Sequence, residues 1–66
     1  MYPVNSSDIS SVGYESGTLY IKFNSGGTYS YSNVPESVYR ELMNASSHGK
    51  YFHANIKNVY SYRRIS

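Results

Sequence analysis

Cysteine and tryptophan are absent from this sequence, and its apolar runs never exceed a few residues. Without cysteine, no disulfide can stabilise the fold and no thiolate can act as a nucleophile or metal ligand. A membrane-spanning helix needs about 20 consecutive apolar residues, which this sequence does not contain. The first five residues have neither the basic stretch nor the apolar core of a signal peptide. We therefore expect a cytoplasmic protein that does not contact a membrane.

The chain is also short, since 66 residues suffice for one domain and no more. A chain of this length buries only ~60% of the surface that its unfolded form exposes, so its core is thin. We expect a single domain over residues 1–66, with residues 1–8 as a loose, serine-rich entry segment. Small domains without disulfides or metals need another source of stability. The alternatives are an unusually aromatic core or a homo-oligomer, and no cofactor is expected.

The sequence is instead rich in tyrosine, and its basic residues are unevenly distributed. Nine of the residues are tyrosines, whose large rings with polar tips suit interfaces and shallow ligand surfaces as well as cores. Basic residues are concentrated in the second half: residues 37–66 contain five lysines and arginines against one acid, whereas residues 1–36 contain one lysine against three acids. The second half is therefore the expected contact surface for an anionic ligand. Ordinary solvated surface charge is the alternative explanation.

The first half has the pattern of a β-meander. Residues 9–14 favour a strand, and a turn at Glu15-Ser16-Gly17 follows. Residues 18–23 alternate strictly, with Leu19, Ile21 and Phe23 on one face. Asn24-Ser25-Gly26-Gly27 is typical of a second hairpin loop, and residues 28–34 of a third strand.

The second half changes to helical periodicity. Pro35 suits a first helical turn, and Val38, Leu42 and Ala45 recur at the spacing of an apolar stripe that covers a sheet. Ser46 or Ser47 is suited to cap a second helix that runs to about residue 55. Residues 60–65 alternate like a short strand. The predicted fold class is thus α+β: a three-stranded antiparallel meander, one or two helices on one face, and a possible C-terminal edge strand.

The first candidate for binding is the pair Tyr29 and Tyr31. Residues two apart in a strand project to the same face, about 6–7 Å apart. Rings placed in this way can stack with nucleobases, as sheet-surface aromatics do in RNA-binding modules. The alternative is that both rings pack under the helices as core.

The second candidate is the start of the second helix. Its residues combine unpaired helix N–H groups with side chains that suit an anion, and they are Ser47, His48, Gly49, Lys50 and Tyr51. Glycine here would let the backbone approach a phosphate closely. An ordinary helix cap with exposed polar residues is the alternative. The pattern matches neither a Walker loop nor a dinucleotide fingerprint.

Metal binding and catalysis receive little support from the histidines. His48 and His53 are five residues apart, a spacing that does not put two imidazoles on one helical face. No metal is therefore expected. A ribonuclease with two histidines as acid and base would need both to converge on one phosphate, which the sequence does not indicate. The chain is expected not to be an enzyme.

The last candidate is the C-terminal tail, where Tyr60 and Tyr62 are interleaved with Arg63 and Arg64. Aromatic rings beside arginines suit single-stranded nucleic acid, through stacking and phosphate contacts. The alternative is an edge strand whose charges prevent aggregation.

Several of these segments, taken in order, resemble the KTSC domain family. The resemblance runs over roughly residues 5–65 and is carried by the segments GTYSY at 27–31, VPE at 34–36 and SHGKYF at 47–52, and by Ile56 and Tyr60. The family is named for a module at the C-terminus of some lysyl-tRNA synthetases and also includes free-standing proteins of bacteria and phages. The positions that correspond to its signature residues are Tyr29, Tyr31, Pro35, Ser47, His48, Gly49, Tyr51 and Phe52. The resemblance implies RNA binding and no catalytic role for these residues.

The most consistent hypothesis is a non-catalytic module that binds RNA, or another phosphate-bearing single strand or nucleotide. Its predicted surface joins Tyr29 and Tyr31, residues 47–51, and the pair Arg63 and Arg64. Three alternatives remain open: a homo-oligomer of phage type that sequesters a cyclic-nucleotide immune signal, a protein-interaction module, and a small nuclease that uses His48.

Overall fold

The computed structural model describes residues 1–66 and contains five strands and two helices. In chain order these are β1 (Tyr2–Pro3), β2 (Ile9–Glu15), β3 (Thr18–Phe23), β4 (Thr28–Tyr31), α1 (Glu36–Asn44), α2 (His48–Asn55) and β5 (Tyr62–Arg64). The strands form one antiparallel sheet in the order β1-β2-β3-β4-β5. The predicted α+β class is confirmed. The sheet, however, has five strands where the central meander of three was expected.

The two additional strands lie at the edges of the sheet. β5 is the edge strand suggested for the tail, and it pairs with β4 from Tyr29–Arg64 to Tyr31–Tyr62. β1 lies inside the segment expected to be loose and pairs with β2 through Val12 and Ser11. Two residues are too few to produce an alternating pattern, which explains why β1 was not predicted.

The hairpin between β2 and β3 turns through two residues with positive φ, Ser16 at 51° and Gly17 at 82°. Positive φ at both central positions matches the right-handed twist of the flanking strands. β4 ends at Tyr31, earlier than expected, and Asn33 then takes a left-handed conformation at φ 58° before α1. The backbone N–H of Val34 donates to the carbonyl oxygen of Gly17 at 2.9 Å, which ties this connection to the hairpin.

Both helices cover the same face of the sheet. The core consists of nine buried residues from the strands, both helices and the connections: Ile9, Val12, Leu19, Ile21, Tyr31, Val34, Leu42, Phe52 and Ile56. Leu19 and Ile21 share a face, because they are two residues apart in a strand. This face is the one toward the helices, since both residues belong to the same core as the helix residues. The opposite face carries Tyr20, Lys22 and Arg63 and is not covered by a helix. Neither helix is long and apolar enough to cross a membrane.

Candidate nucleic-acid interface

A cleft of about 520 Å³ lies on the helix-covered side of the sheet, close to the β5 edge. It is bounded by the β3–β4 loop, by β5, by the C-terminal half of α2 with the residues that follow, and by the segment before β2. We call it the aromatic cleft, because five of its lining residues are Phe23, Tyr29, Tyr31, Phe52 and Tyr62. Its lining residues with carboxylate, imidazole, amino or guanidinium groups are Asp8, His53, Lys57 and Arg64.

The rings in the cleft are layered from core to solvent. Phe52 and Tyr31 are buried and meet edge to face, with ring centroids 5.5 Å apart. Tyr62 lies 5.7 Å from Tyr31 and 5.9 Å from Tyr29, between ring centroids, and 58% of its surface is exposed. The ring with free area for stacking is therefore that of Tyr62, with Tyr29 half-buried beside it.

Tyr31 is instead a core residue. Only 5% of its surface is exposed, and burial is the main reason that its pKa is raised to about 12, with smaller contributions from the neighbouring Tyr62 and Tyr29. A neutral phenol packed on Phe52 supports the fold of the cleft from below. The alternative explanation of the Tyr29–Tyr31 pair, that the rings are core, thus holds for Tyr31 and only partly for Tyr29.

Arg64 is held in place through one nitrogen, and its two terminal nitrogens are free. Its Nε donates a hydrogen bond to the backbone oxygen of Ser66 at 2.9 Å, and neither terminal nitrogen has a protein partner. The guanidinium lies over Gly27, where a Cβ would come within 3.5 Å of Arg64 Cζ and 3.3 Å of Tyr29 Cε1. Gly27 also has a φ of +77°, so a side chain there would be strained and would crowd both groups. The two free nitrogens match the planar fork that binds phosphate.

The far wall of the cleft contains His53 and Asp8. His53 Nε2 lies 3.8 Å from Asp8 Oδ2, and both side chains are about half exposed. Lys57 follows His53 by four residues, lines the cleft and forms no ion pair. The Asp8 carboxylate also lies against the first turn of α2, because a Cβ on Gly49 would be 3.0 Å from Asp8 Oδ2. Glycine at this position therefore makes room for a carboxylate of the chain itself.

The start of α2, the second predicted binding segment, is occupied by contacts within the protein. Ser47 Oγ caps the helix by accepting from the N–H of Lys50 at 3.2 Å. His48 Nδ1 donates to the carbonyl oxygen of Leu42 at 2.8 Å, which joins α2 to the end of α1. Tyr51 Oη donates to Glu41 Oε1 at 2.8 Å, and burial together with this bond raises the pKa of Tyr51 to about 12.

The predicted continuous surface is therefore not assembled. Of the nine predicted residues, Tyr29, Tyr31 and Arg64 line the cleft, and residues 47–51 do not. Arg63 projects from the opposite face of the sheet to Arg64, since neighbours in a strand alternate. Lys50 is exposed on α2, outside the cleft. His48 also lies outside the cleft, whereas His53 lines it, so the structure does not bring the two imidazoles together there.

The joined surface predicted from the sequence left out several residues that the fold places in the cleft, although Tyr62 was named with the C-terminal tail. The main ones are Asp8, His53, Lys57 and Tyr62. Tyr62 had a detectable signal, because strict alternation puts it on the same face as Arg64. Asp8 had none, since its position depends on the path of the chain before β2.

Comparisons with known proteins identify the family of this fold. Residues 5–60 match the model of the KTSC domain. The fold is similar to the crystal structure of a KTSC domain protein from Yersinia pestis, with a TM-score of 0.93, 41% identity, and coverage of 97% of this chain and 93% of that one. A protein from Stutzerimonas stutzeri is 38% identical over 65 residues, which cover 94% of this chain and 92% of that protein. The chain belongs to the KTSC domain family, which confirms the resemblance.

A larger relative is a lysine–tRNA ligase of Trichormus variabilis. It is 47% identical over 55 residues, which amount to 80% of this chain but only 10% of the ligase. A lysine–tRNA ligase of Nostoc is likewise 47% identical over 49 residues, or 9% of that ligase. The chain thus corresponds to about a tenth of the length of these enzymes.

Proposed function

We propose that this chain is a non-catalytic module that binds single-stranded RNA in the aromatic cleft. The observation that carries the proposal is that an exposed ring, Tyr62, and a fixed guanidinium with two free nitrogens, Arg64, face the same cleft. A base stacked on an aromatic ring contributes about 1–3 kcal/mol, and the guanidinium fork binds the adjoining phosphate. Lys57 adds a second, unpaired cation on the other side of the cleft.

Two further observations support single-stranded RNA as the ligand. The ligases that contain a homologous segment are named for tRNA, which favours RNA over DNA for this family. The cleft is lined by residues of the edge strand β5 and of α2, so it lies beside the edge of the sheet. Single strands, whose bases are free to stack, fit such a surface better than duplexes do.

The positions of the two histidines support a non-catalytic role. Acid–base cleavage of RNA by two imidazoles requires both near one phosphate. His48 is engaged with the carbonyl of Leu42 at the α1–α2 junction, outside the cleft. His53 alone faces the cleft, next to Asp8.

The decisive experiment uses the neighbours Arg63 and Arg64, which have the same charge but lie on opposite faces of β5. Binding of a fluorescein-labelled ten-nucleotide oligouridylate is measured by fluorescence anisotropy for the wild type, Arg64→Ala and Arg63→Ala. We expect Arg64→Ala to weaken binding roughly tenfold and Arg63→Ala less than twofold. Affinity for the wild type should fall as salt rises, because RNA binding releases counterions. Equal losses in both variants would place the binding surface elsewhere.

A small nucleotide is the second candidate, because a volume of about 520 Å³ is within the usual range of small-ligand sites. Adenosine and guanosine monophosphates and a cyclic dinucleotide are added as unlabelled competitors, and native mass spectrometry records the oligomeric state. Full competition at equal concentration, together with a nucleotide-bound oligomer, would favour a nucleotide-sequestering protein. Competition only by longer strands would favour RNA.

A further inference from the structure

Asp8 is the only carboxylate that lines the aromatic cleft. A negative charge lowers the affinity of a phosphate-binding cleft by repulsion, unless a group of the ligand donates a hydrogen bond to it. About 55% of the Asp8 side chain is exposed; a Cβ on Gly49 would lie 3.0 Å from its Oδ2, and the second contact, between Oδ2 and His53 Nε2, is 3.8 Å long. At 3.8 Å that second contact is too long for a hydrogen bond, so the carboxylate has accepting capacity left for a ligand.

The position of Asp8 is set by its backbone. Its N–H donates to Ser6 Oγ at 3.2 Å, and its carbonyl oxygen accepts from the N–H of Asn24 at 2.8 Å. The Asn24 side chain in turn donates to the carbonyl oxygen of Ser6 at 2.9 Å. The segment before β2 is thereby fixed to the β3–β4 loop. The fixed backbone limits the positions that the Asp8 carboxylate can reach and keeps it at the cleft.

Resting on the function proposed above, we propose that Asp8 makes the aromatic cleft selective for a guanine base. An ionised carboxylate only accepts hydrogen bonds, with two oxygens side by side. Guanine is the one common base with two adjacent donors on its Watson–Crick edge, N1–H and the 2-amino group. In adenine, cytosine and uracil each donor on that edge stands beside an acceptor, which a carboxylate repels. Single-stranded bases are recognised through this edge while they stack on aromatic side chains.

The other groups in the cleft fit the same ligand. Tyr62 offers its exposed face to the stacked base, and Arg64 and Lys57 are available to the phosphates. His53 lies beside Asp8, so its Nε2 is placed to donate to guanine O6, next to N1, when it carries the proton. The expected donor–acceptor order along the wall therefore complements O6, N1 and N2 of guanine.

The test uses nine-nucleotide strands with four uridines on each side of one variable base. Guanosine, inosine, adenosine, cytidine and uridine are compared at the central position, in fluorescence anisotropy with the wild-type protein. We expect the guanosine strand to bind tightest. Inosine lacks only the 2-amino group, so its strand should bind roughly tenfold more weakly, since a hydrogen bond to a charged acceptor is lost.

Two variants separate recognition from folding. Asp8→Asn should abolish the preference for guanosine over inosine while leaving the affinity for the all-uridine strand equal or slightly higher, because the repulsive charge is gone. Glu15→Gln, on β2 outside the cleft, should keep the preference. Circular dichroism melting verifies that both variants are folded. The comparison of guanosine with inosine uses the wild-type protein, so it does not depend on the folding of a variant.

The outcomes distinguish this inference from the function on which it rests. If no strand binds, both fail. If all five strands bind alike in a salt-dependent manner, RNA binding stands and guanine selectivity is overturned. Competition by guanosine monophosphate, and not by the adenosine, cytidine or uridine monophosphates, supports guanine recognition and assigns the ligand to the free nucleotide.

Discussion

The two ends of α2 differ in how their polar groups are used. At its start, the side chains of Ser47, His48 and Tyr51 all bind other parts of the protein, namely the N–H of Lys50, the carbonyl of Leu42 and the carboxylate of Glu41. At its end and just beyond, His53 and Lys57 face the aromatic cleft, and Lys57 has no partner. The start of α2, which carries much of the sequence resemblance to the family, thus holds the fold together. The end of α2 is available to a ligand.

This difference gives His48 and His53 opposite expected roles. His48→Ala removes the donor to the Leu42 carbonyl in a partly buried junction, and we expect it to lower the free energy of unfolding by about 1–3 kcal/mol. His53 is half exposed, so His53→Ala should change stability by less than about 0.5 kcal/mol. Urea denaturation of both variants measures the two values. RNA binding by folded His48→Ala should equal that of the wild type.

The converse pattern, with His48→Ala stable but deficient in binding, would show that the start of α2 contacts the ligand. Such a result would restore residues 47–51 as the binding surface.

The tyrosines near the two ends predict a dependence of stability on alkaline pH. Tyr31 packs against Phe52, toward the end of α2, and its pKa is raised from 10.0 to about 12. Because the unfolded phenol ionises first, this raised pKa stabilises nothing below pH 10, where both states are protonated, and costs stability as the pH rises from 10 towards 12. For Tyr31 the cost is under about 1 kcal/mol at pH 10.5. Tyr31→Phe should remove this part of the alkaline loss, measured by urea denaturation at pH 8.0 and 10.5.

Tyr51 provides the comparison at the other end. Its pKa is also raised to about 12, but the side chain is more accessible to solvent, and its bond to Glu41 is at the surface. Solvent screening reduces the energetic effect of such a shift. Tyr51→Phe should therefore relieve less of the alkaline loss than Tyr31→Phe. An equal or larger relief would mean that the Tyr51–Glu41 bond contributes more to joining the helices than its exposure indicates.

Much of the fold was predictable because it follows from local patterns. The alternation of residues 18–23 and the turn at Ser16 and Gly17 predict the hairpin that the structure contains. The stripe that includes Leu42 predicts the buried face of α1. β1 escaped prediction because two residues carry no periodicity. Its pairing depends on a strand that lies several residues further along the chain.

The site was less predictable because it depends on non-local partners. Arg63 and Arg64 are equivalent in the sequence, and only the register of β5 against β4 places Arg64 beside Tyr29 and directs Arg63 to the other face. Likewise, Gly49 suggests a phosphate-binding backbone until Asp8, 41 positions earlier, is found against it. A motif of charged and small residues can bind an external anion or contact another part of its own chain. The residues that decide between these two roles are distant in sequence.

The smallest expected effect concerns the two lysines of this region. Lys50 lies on the first turn of α2 and Lys57 follows the helix in the cleft, and neither forms an ion pair. Lys57→Ala should weaken binding of the labelled oligouridylate about threefold and reduce the slope of log affinity against log salt by about 1, since one phosphate contact is lost. Lys50→Ala removes the same charge outside the cleft and should leave the slope unchanged.

Because both variants change the net charge equally, a difference between their slopes reports contact with phosphate rather than general attraction. Identical slopes would mean that RNA is attracted by the overall charge of the domain, and the division between the two ends of α2 would then not extend to binding.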